Sequence, residues 1–174
     1  MSVRAVLVGM PGVGKSTVGK LLAKDLGLPF ADSDALIVSE TGQSIPEIFQ
    51  TVGEEGFRRL EADIIARTLA DFDGVLSLGG GAILSEATRQ ALRHHPVVLI
   101  EARMDILVRR ITGSRTRRPL LEDNPALRLR ELDRERTPLY RDVASVTVTS
   151  DGGSPHRVVR RIRAALDECG DTAR

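Results

Sequence analysis

GMPGVGKST, residues 9–17, follows the apolar run Val3, Ala5, Val6, Leu7 and Val8 and leads into a segment with apolar residues at 18, 21, 22 and 26. The order is a buried strand, a glycine-rich turn of G-x-x-x-x-G-K-[ST] spacing and an amphipathic helix, and it decides the fold. Gly9, Gly12 and Gly14 allow backbone angles and close approaches that a side chain would block, so successive N–H groups can converge on phosphate oxygens. Lys15 adds a mobile positive charge and Ser16 a hydroxyl suited to Mg²⁺. The helix starting there turns its positive end toward the same point. A chance match to this pattern in a chain of this length has a probability on the order of one per cent.

Working outward, short apolar runs alternate with longer segments of helical period, the pattern of a parallel sheet flanked by helices. The spacing predicts strands near 3–8, 28–32, 74–78, 96–101 and 143–148. Helices are predicted near 15–26, 34–41, 45–50, 54–70, 85–94, 104–111, 125–136 and 155–168. The fold class is therefore three-layer α/β, with a five-stranded parallel sheet and helices on both faces. The 174 residues fit one compact domain. Residues 112–124 (TGSRTRRPLLEDN) mix Gly, Ser, Pro and charge without periodicity and read as a surface loop, a candidate lid.

A net charge of +1 gives no general basic surface for nucleic acid, while the arginines between 109 and 118 suit a small anionic ligand. The one cysteine, Cys169, excludes an internal disulfide or a cysteine metal cage, and a reducing cytosol fits that composition. No run resembles a signal peptide or a membrane span, so the expectation is a cytoplasmic protein without nucleic-acid or membrane partners. No heptad seam is visible, and a monomer is expected. His94, His95 and His156 lack metal-like spacing and read as surface or cap residues.

A phosphate loop alone does not name the acceptor, so the other polar clusters must. Asp32 and Asp34 end the second strand, where one carboxylate can serve Mg²⁺ and the other a substrate hydroxyl; the competing reading is a helix cap at Asp32 or Ser33. Arg58 and Glu61 lie one helical turn apart, so Glu61 can hold the guanidinium, with a plain surface ion pair as the alternative. Gly79, Gly80 and Gly81 follow the strand at Val75–Leu78 and allow backbone to approach a ligand.

With GMPGVGKST, these clusters (ADSDALI at 31–37, EEGFRRLE at 54–61, LSLGGGA at 76–82), together with RRPLL at 117–121 and RERTPLY at 134–140, make nearly the whole chain resemble the shikimate kinases. These are P-loop small-molecule kinases of the nucleoside-monophosphate-kinase-like group. The resemblance implies Mg²⁺-dependent transfer of the ATP γ-phosphate to the 3-hydroxyl of shikimate, in aromatic amino-acid biosynthesis. It implies nucleotide contacts from Gly12, Val13, Gly14, Lys15, Ser16 and Thr17, with Arg110 and Pro155 flanking adenine. Ser16 and Asp32 would serve the metal, Asp32 through water. Asp34 would hold the acceptor hydroxyl. Arg58 and Arg136 would fork onto the carboxylate, and Phe49, Phe57, Gly80 and Gly81 would complete a substrate region at about 33–61 and beyond. Arg118, chosen over Arg117 because it directly precedes Pro119, would be the lid arginine. Thr149 stands where the family usually carries an acidic residue, with Asp151 displaced from that place. Rival readings are a kinase for another small molecule, such as gluconate, and a nucleotide-dependent switch or inactive binder. Retention of Lys15, Ser16, Asp34 and Arg118 opposes inactivity.

Overall fold

The computed structural model describes residues 2–113 and 124–172, with side chains described as far as residue 168. Five parallel strands, β1 (Ala5–Val8), β2 (Phe30–Asp32), β3 (Val75–Ser77), β4 (Val97–Glu101) and β5 (Val146–Thr149), lie in the order β2-β3-β1-β4-β5. Among the described residues seven helices flank them: α1 (Lys15–Leu26), α2 (Ser33–Thr41), α3 (Ile45–Asp71), α4 (Glu86–Leu92), α5 (Met104–Thr112), α6 (Pro125–Val143) and α7 (Pro155–Thr172). A single 3₁₀ turn, Ala82–Leu84, follows β3.

All four residues of β1 and all three of β3 are buried because helices cover both faces, which is why these strands read as unbroken apolar runs. At the sheet edge, β5 alternates instead, Val146 and Val148 in, Thr147 and Thr149 out. Because every pairing is parallel, the C-terminal ends of the strands share one rim. Strand order reverses about β1, so the loop after β1 stands at the switch point where α/β sheets bind ligands.

Several boundaries differ from the sequence reading, each for a local reason. β2 starts at 30 rather than 28 because Gly27 (φ 67°) closes α1 and the Leu28 N–H still donates to Ala23 O. The segments predicted at 45–50 and 54–70 are indeed two helical stretches, separated by the non-helical Gly53 (φ 70°, ψ −179°) and together spanning α3. The helix predicted for 125–136 continues through Pro138 to Val143. Its last turns bury Tyr140 and Val143, which offsets the hydrogen bond that Pro138 cannot donate. β5 therefore begins at 146 instead of 143. The predicted lid falls almost wholly on residues 114–123, outside the described residues.

Burial separates two apolar clusters. The larger surrounds the sheet. A smaller one, Ile37, Ile48, Phe57 and Ile64, joins α2 to α3 at the β2 side.

Candidate active site

The loop between β1 and α1 takes the form its glycines permit. Gly9 has φ 149°, and any side chain there would strike Ile100 O across the adjoining strand. Gly14, at φ 96°, is the N-cap of α1, which has neither a capping side chain nor an acidic residue in its first turn. The positive end of the helix is thus left for an anion. Lys15 Nζ donates to Gly9 O (2.7 Å) and Met10 O (3.2 Å), which holds the ammonium over the loop. Ser16 and Thr17 are exposed on the first turn.

Arg110, expected to flank adenine, reaches the loop from α5. Its Nη1 donates to Gly12 O (3.1 Å), Val13 O (3.3 Å) and Ser150 Oγ (3.1 Å), and its Nη2 to Ser150 O (2.7 Å). Ser150, buried, donates its hydroxyl to Val13 O at 2.9 Å. A guanidinium and a hydroxyl thereby neutralise the outward carbonyls of the loop and tie it to the segment after β5. The sequence reading missed Ser150; a serine after a strand carries no signal of a partner more than a hundred residues away. Pro155 opens α7 and is exposed. The Asp151 carboxylate accepts the N–H of Arg103 (2.7 Å). Thr149 pairs in register with Glu101 across the sheet, and Arg161 donates to its carbonyl and hydroxyl, both at 3.5 Å.

At the end of β2 the two readings of Asp32 coexist. Its Oδ1 caps α2 by accepting the N–H groups of Asp34 (3.0 Å) and Ala35 (3.3 Å), while Oδ2 accepts Ser16 Oγ at 3.3 Å. Asp32 pairs in register with Ser77, whose buried hydroxyl has no protein partner. A hydroxyl at the start of α1, with a carboxylate and an uncommitted hydroxyl on adjoining strands, fits a hard cation that keeps several waters. The described residues form no cluster of three or more His, Cys, Asp or Glu side chains, so such an ion would depend on phosphate oxygens for the remaining ligands.

The three glycines after β3 organise the acceptor side. Ser33 Oγ accepts the Gly79 N–H (2.8 Å), which fixes the turn against the start of α2. A side chain at 79 would come within 2.6 Å of Asp34 Oδ1; one at 80 would approach Arg136 Nη1 to 3.2 Å; one at 81 would overlap the Arg58 guanidinium. Consecutive glycines thus let one carboxylate and two guanidinium groups pack onto a single turn. Burial, and then the neighbouring Asp32 charge, push the Asp34 carboxyl above its ordinary value, against the opposing pull of Lys15 and Arg58.

Arg58 projects from α3 with Nη1 2.6 Å from Glu61 Oε2, and its guanidinium carbon lies 5.1 Å from the centre of the Phe57 ring. Glu61 is 1% exposed. Burial raises its carboxyl, and the Arg58 charge works in the other direction. Phe49 stacks on Phe57, centroids 4.4 Å apart. Phe57 itself is fully buried, so it supports Arg58 and Phe49 from beneath rather than lining an open wall. Arg136, 6% exposed, comes from α6. The Nε atoms of Arg58 and Arg136 are both buried without an acceptor. Two donors of this kind, flanking one turn, demand an anionic ligand. One turn on from Arg136, Tyr140 donates its hydroxyl to Gly80 O at 2.5 Å, a contact absent from the sequence reading. Arg117 and Arg118 lie outside the described residues.

Comparison with known proteins agrees with this geometry. The family model for shikimate kinase matches residues 11–167. A shikimate kinase of Rhodococcus jostii (strain RHA1) is 47% identical over 169 residues, covering 97% of this chain and all of the relative. One of Mycobacterium tuberculosis is 50% identical over 167 residues, covering 95% and 94%. The solved structure of an Acinetobacter baumannii shikimate kinase in complex with shikimate superposes with a TM-score of 0.88 at 37% identity, over 94% of this chain and 92% of that one.

Proposed function

The chain belongs to the shikimate kinase family, and from that membership we propose a role for each residue of the site. The reaction is that of the family: the γ-phosphoryl group of ATP passes to the 3-hydroxyl of shikimate, giving shikimate 3-phosphate and ADP on the route to the aromatic amino acids.

The N–H groups from Gly12 to Thr17 and the Lys15 ammonium cradle the β- and γ-phosphates. Ser16 and Asp32 hold Mg²⁺, the carboxylate through water, with Ser77 available to a water ligand. When bound, Mg²⁺ supplies charge neutralisation across the phosphate oxygens. Arg110 keeps the loop rigid through its carbonyls, and its aliphatic stem and Pro155 border the adenine. Phosphoryl transfer through a loose transition state needs alignment more than strong base catalysis. Asp34 therefore orients the acceptor hydroxyl and takes its proton late, when the oxygen has become acidic. Arg58, braced by Glu61, and Arg136 receive the shikimate carboxylate through paired donors, as their unfilled Nε atoms favour. The Gly80 and Gly81 backbone and Phe49 complete the pocket. Arg118 would neutralise charge on the transferring group.

The observation that carries this reading is the set of three glycines that seats Asp34, Arg136 and Arg58 side by side. A substrate with a hydroxyl to phosphorylate and a carboxylate to anchor matches it; a neutral polyol leaves both guanidinium groups unpaired. We further assign a single domain spanning 1–174, a monomer and a cytoplasmic site of action. The monomer is supported by the scatter of the exposed large apolar side chains, Val38, Val52 and Leu127, among the described residues. The cytoplasm is supported by a lone cysteine and by ATP as co-substrate.

The direct test is ADP release by the purified chain with Mg²⁺ and ATP, supplied with shikimate, quinate, gluconate or no acceptor. Turnover with shikimate alone is expected. Gluconate and quinate carry a carboxylate as well, so equal turnover with either would mean that the clamp anchors hydroxy acids without selecting shikimate, and ATP binding without turnover on any acceptor would leave a nucleotide switch.

A further inference from the structure

Gly79–Ala82 is a β-turn closed by the Ala82 N–H on Gly79 O (3.1 Å), and Gly81, its third residue, has φ −88° and ψ −8°. These angles, with Gly80 outside the positive-φ glycines, identify a type I turn. With glycine at the third position the type II form is equally open to the chain, and the two differ by a flip of the Gly80–Gly81 peptide. Because a trans peptide places C=O and N–H on opposite sides, that flip would exchange the directions of Gly80 O and the Gly81 N–H. A pair of glycines is thus a poor guardian of the orientation on which substrate binding depends.

One contact decides between the forms. Tyr140, 1% exposed on α6, donates its hydroxyl to Gly80 O at 2.5 Å. The Gly81 N–H then points away from α6, and among the described residues neither it nor the Gly80 N–H donates to any protein acceptor. We propose that Tyr140 is a positioning residue, which locks the Gly80–Gly81 peptide in its type I orientation and so presents the Gly81 N–H to the acid substrate held between Arg58 and Arg136. Burial pushes the Tyr140 phenol up to about 12, so it remains a donor throughout the working range of pH. The inference rests on the shikimate reading of this pocket given above.

The experiment uses the full chain and Tyr140→Phe. The variant should raise the KM for shikimate about tenfold, the effect of one buried hydrogen bond, and leave the KM for ATP within about twofold. In glycine-labelled protein the Gly81 amide resonance should be single in the wild type and broadened or doubled in the variant. Tyr140 is the only tyrosine and tryptophan is absent, so the near-ultraviolet absorption of the wild type reports this side chain in isolation. Shikimate alone should perturb it. A folded Tyr140→Phe with an unchanged shikimate KM and a single Gly81 resonance overturns the proposal. If the variant does not fold, an unperturbed tyrosine spectrum in the shikimate-saturated wild type overturns it as well. A wild type with no shikimate-dependent turnover overturns the proposed function first, and this inference with it.

Discussion

Asp34 carries the conflict between stability and function most sharply. Its carboxyl is raised from 3.8 by burial and by Asp32, so the folded chain binds a proton there more readily than the unfolded chain does. Ionised Asp34 therefore costs stability at neutral pH, and that cost disappears as pH falls through the raised value. Asp34→Asn should lower turnover at least about a hundredfold while leaving ATP affinity nearly intact. It should also raise the melting temperature at neutral pH, measured by calorimetry; a loss of stability would mean that the carboxylate is held by partners rather than strained. In the wild type, activity should decline as pH falls through a value above 3.8, because only the ionised carboxylate accepts the proton. That Lys15, Asp34 and Arg58 gather at one rim was legible because each belongs to a short motif. Ser150 and Tyr140 were not. Each acts through one oxygen on a distant carbonyl, Val13 O and Gly80 O, and hydroxyl-to-carbonyl contacts leave no local pattern in a chain.

At the scale of elements, α3 shows how a helix can be broken without ending. Ser44 and Glu47 form a reciprocal cap at its start, Ser44 Oγ accepting the Glu47 N–H (3.4 Å) and Glu47 accepting the Ser44 N–H (2.7 Å). Gly53 then takes φ 70°, ψ −179°, a region open almost solely to glycine. Period and breaker residues located both halves of α3 and the break between them; what local pattern does not give is the packing of Ile48 from one half and Phe57 from the other into one cluster. The same limit misplaced the end of α6: Pro138 reads locally as a stop, and only the burial of Tyr140 and Val143 carries the helix past it. Gly53→Ala should destabilise the chain by about 1–3 kcal/mol. Because the kink sets Phe49 on Phe57, 4.4 Å apart, the same variant should raise the KM for shikimate more than that for ATP. Equal changes in both would show that the kink serves stability alone.

For the whole molecule, the decisive feature is that the apolar interior is divided. The nucleotide loop grows from β1, whose residues lie in the large cluster around the sheet. The acceptor side hangs on α2 and the first two-thirds of α3, whose cluster has four buried members among the described residues, Ile37, Ile48, Phe57 and Ile64, while the end of α3 places Ile65 and Leu69 in the large cluster. Burial of apolar area scales with stability, so the smaller cluster should open at lower free energy than the sheet. Leu36 packs on both clusters, and polar contacts that also bridge them converge on the glycine turn: Ser33 to Gly79 and Arg58 against Gly81, with Arg136 and Tyr140 meeting the same turn from α6. A ligand gripping Arg58 and Arg136 at once would therefore couple α3 to α6 and close the chain around the phosphate acceptor. Amide hydrogen exchange tests this directly. Residues 33–61 should exchange faster than β1, β3 and β4 in the free protein, and shikimate should slow them while leaving the central strands unchanged. ATP without shikimate should protect the loop after β1 but not α3. Uniform protection by either ligand would mean that the two clusters unfold as one unit, and the acceptor side would then owe its selectivity to a preformed pocket rather than to closure.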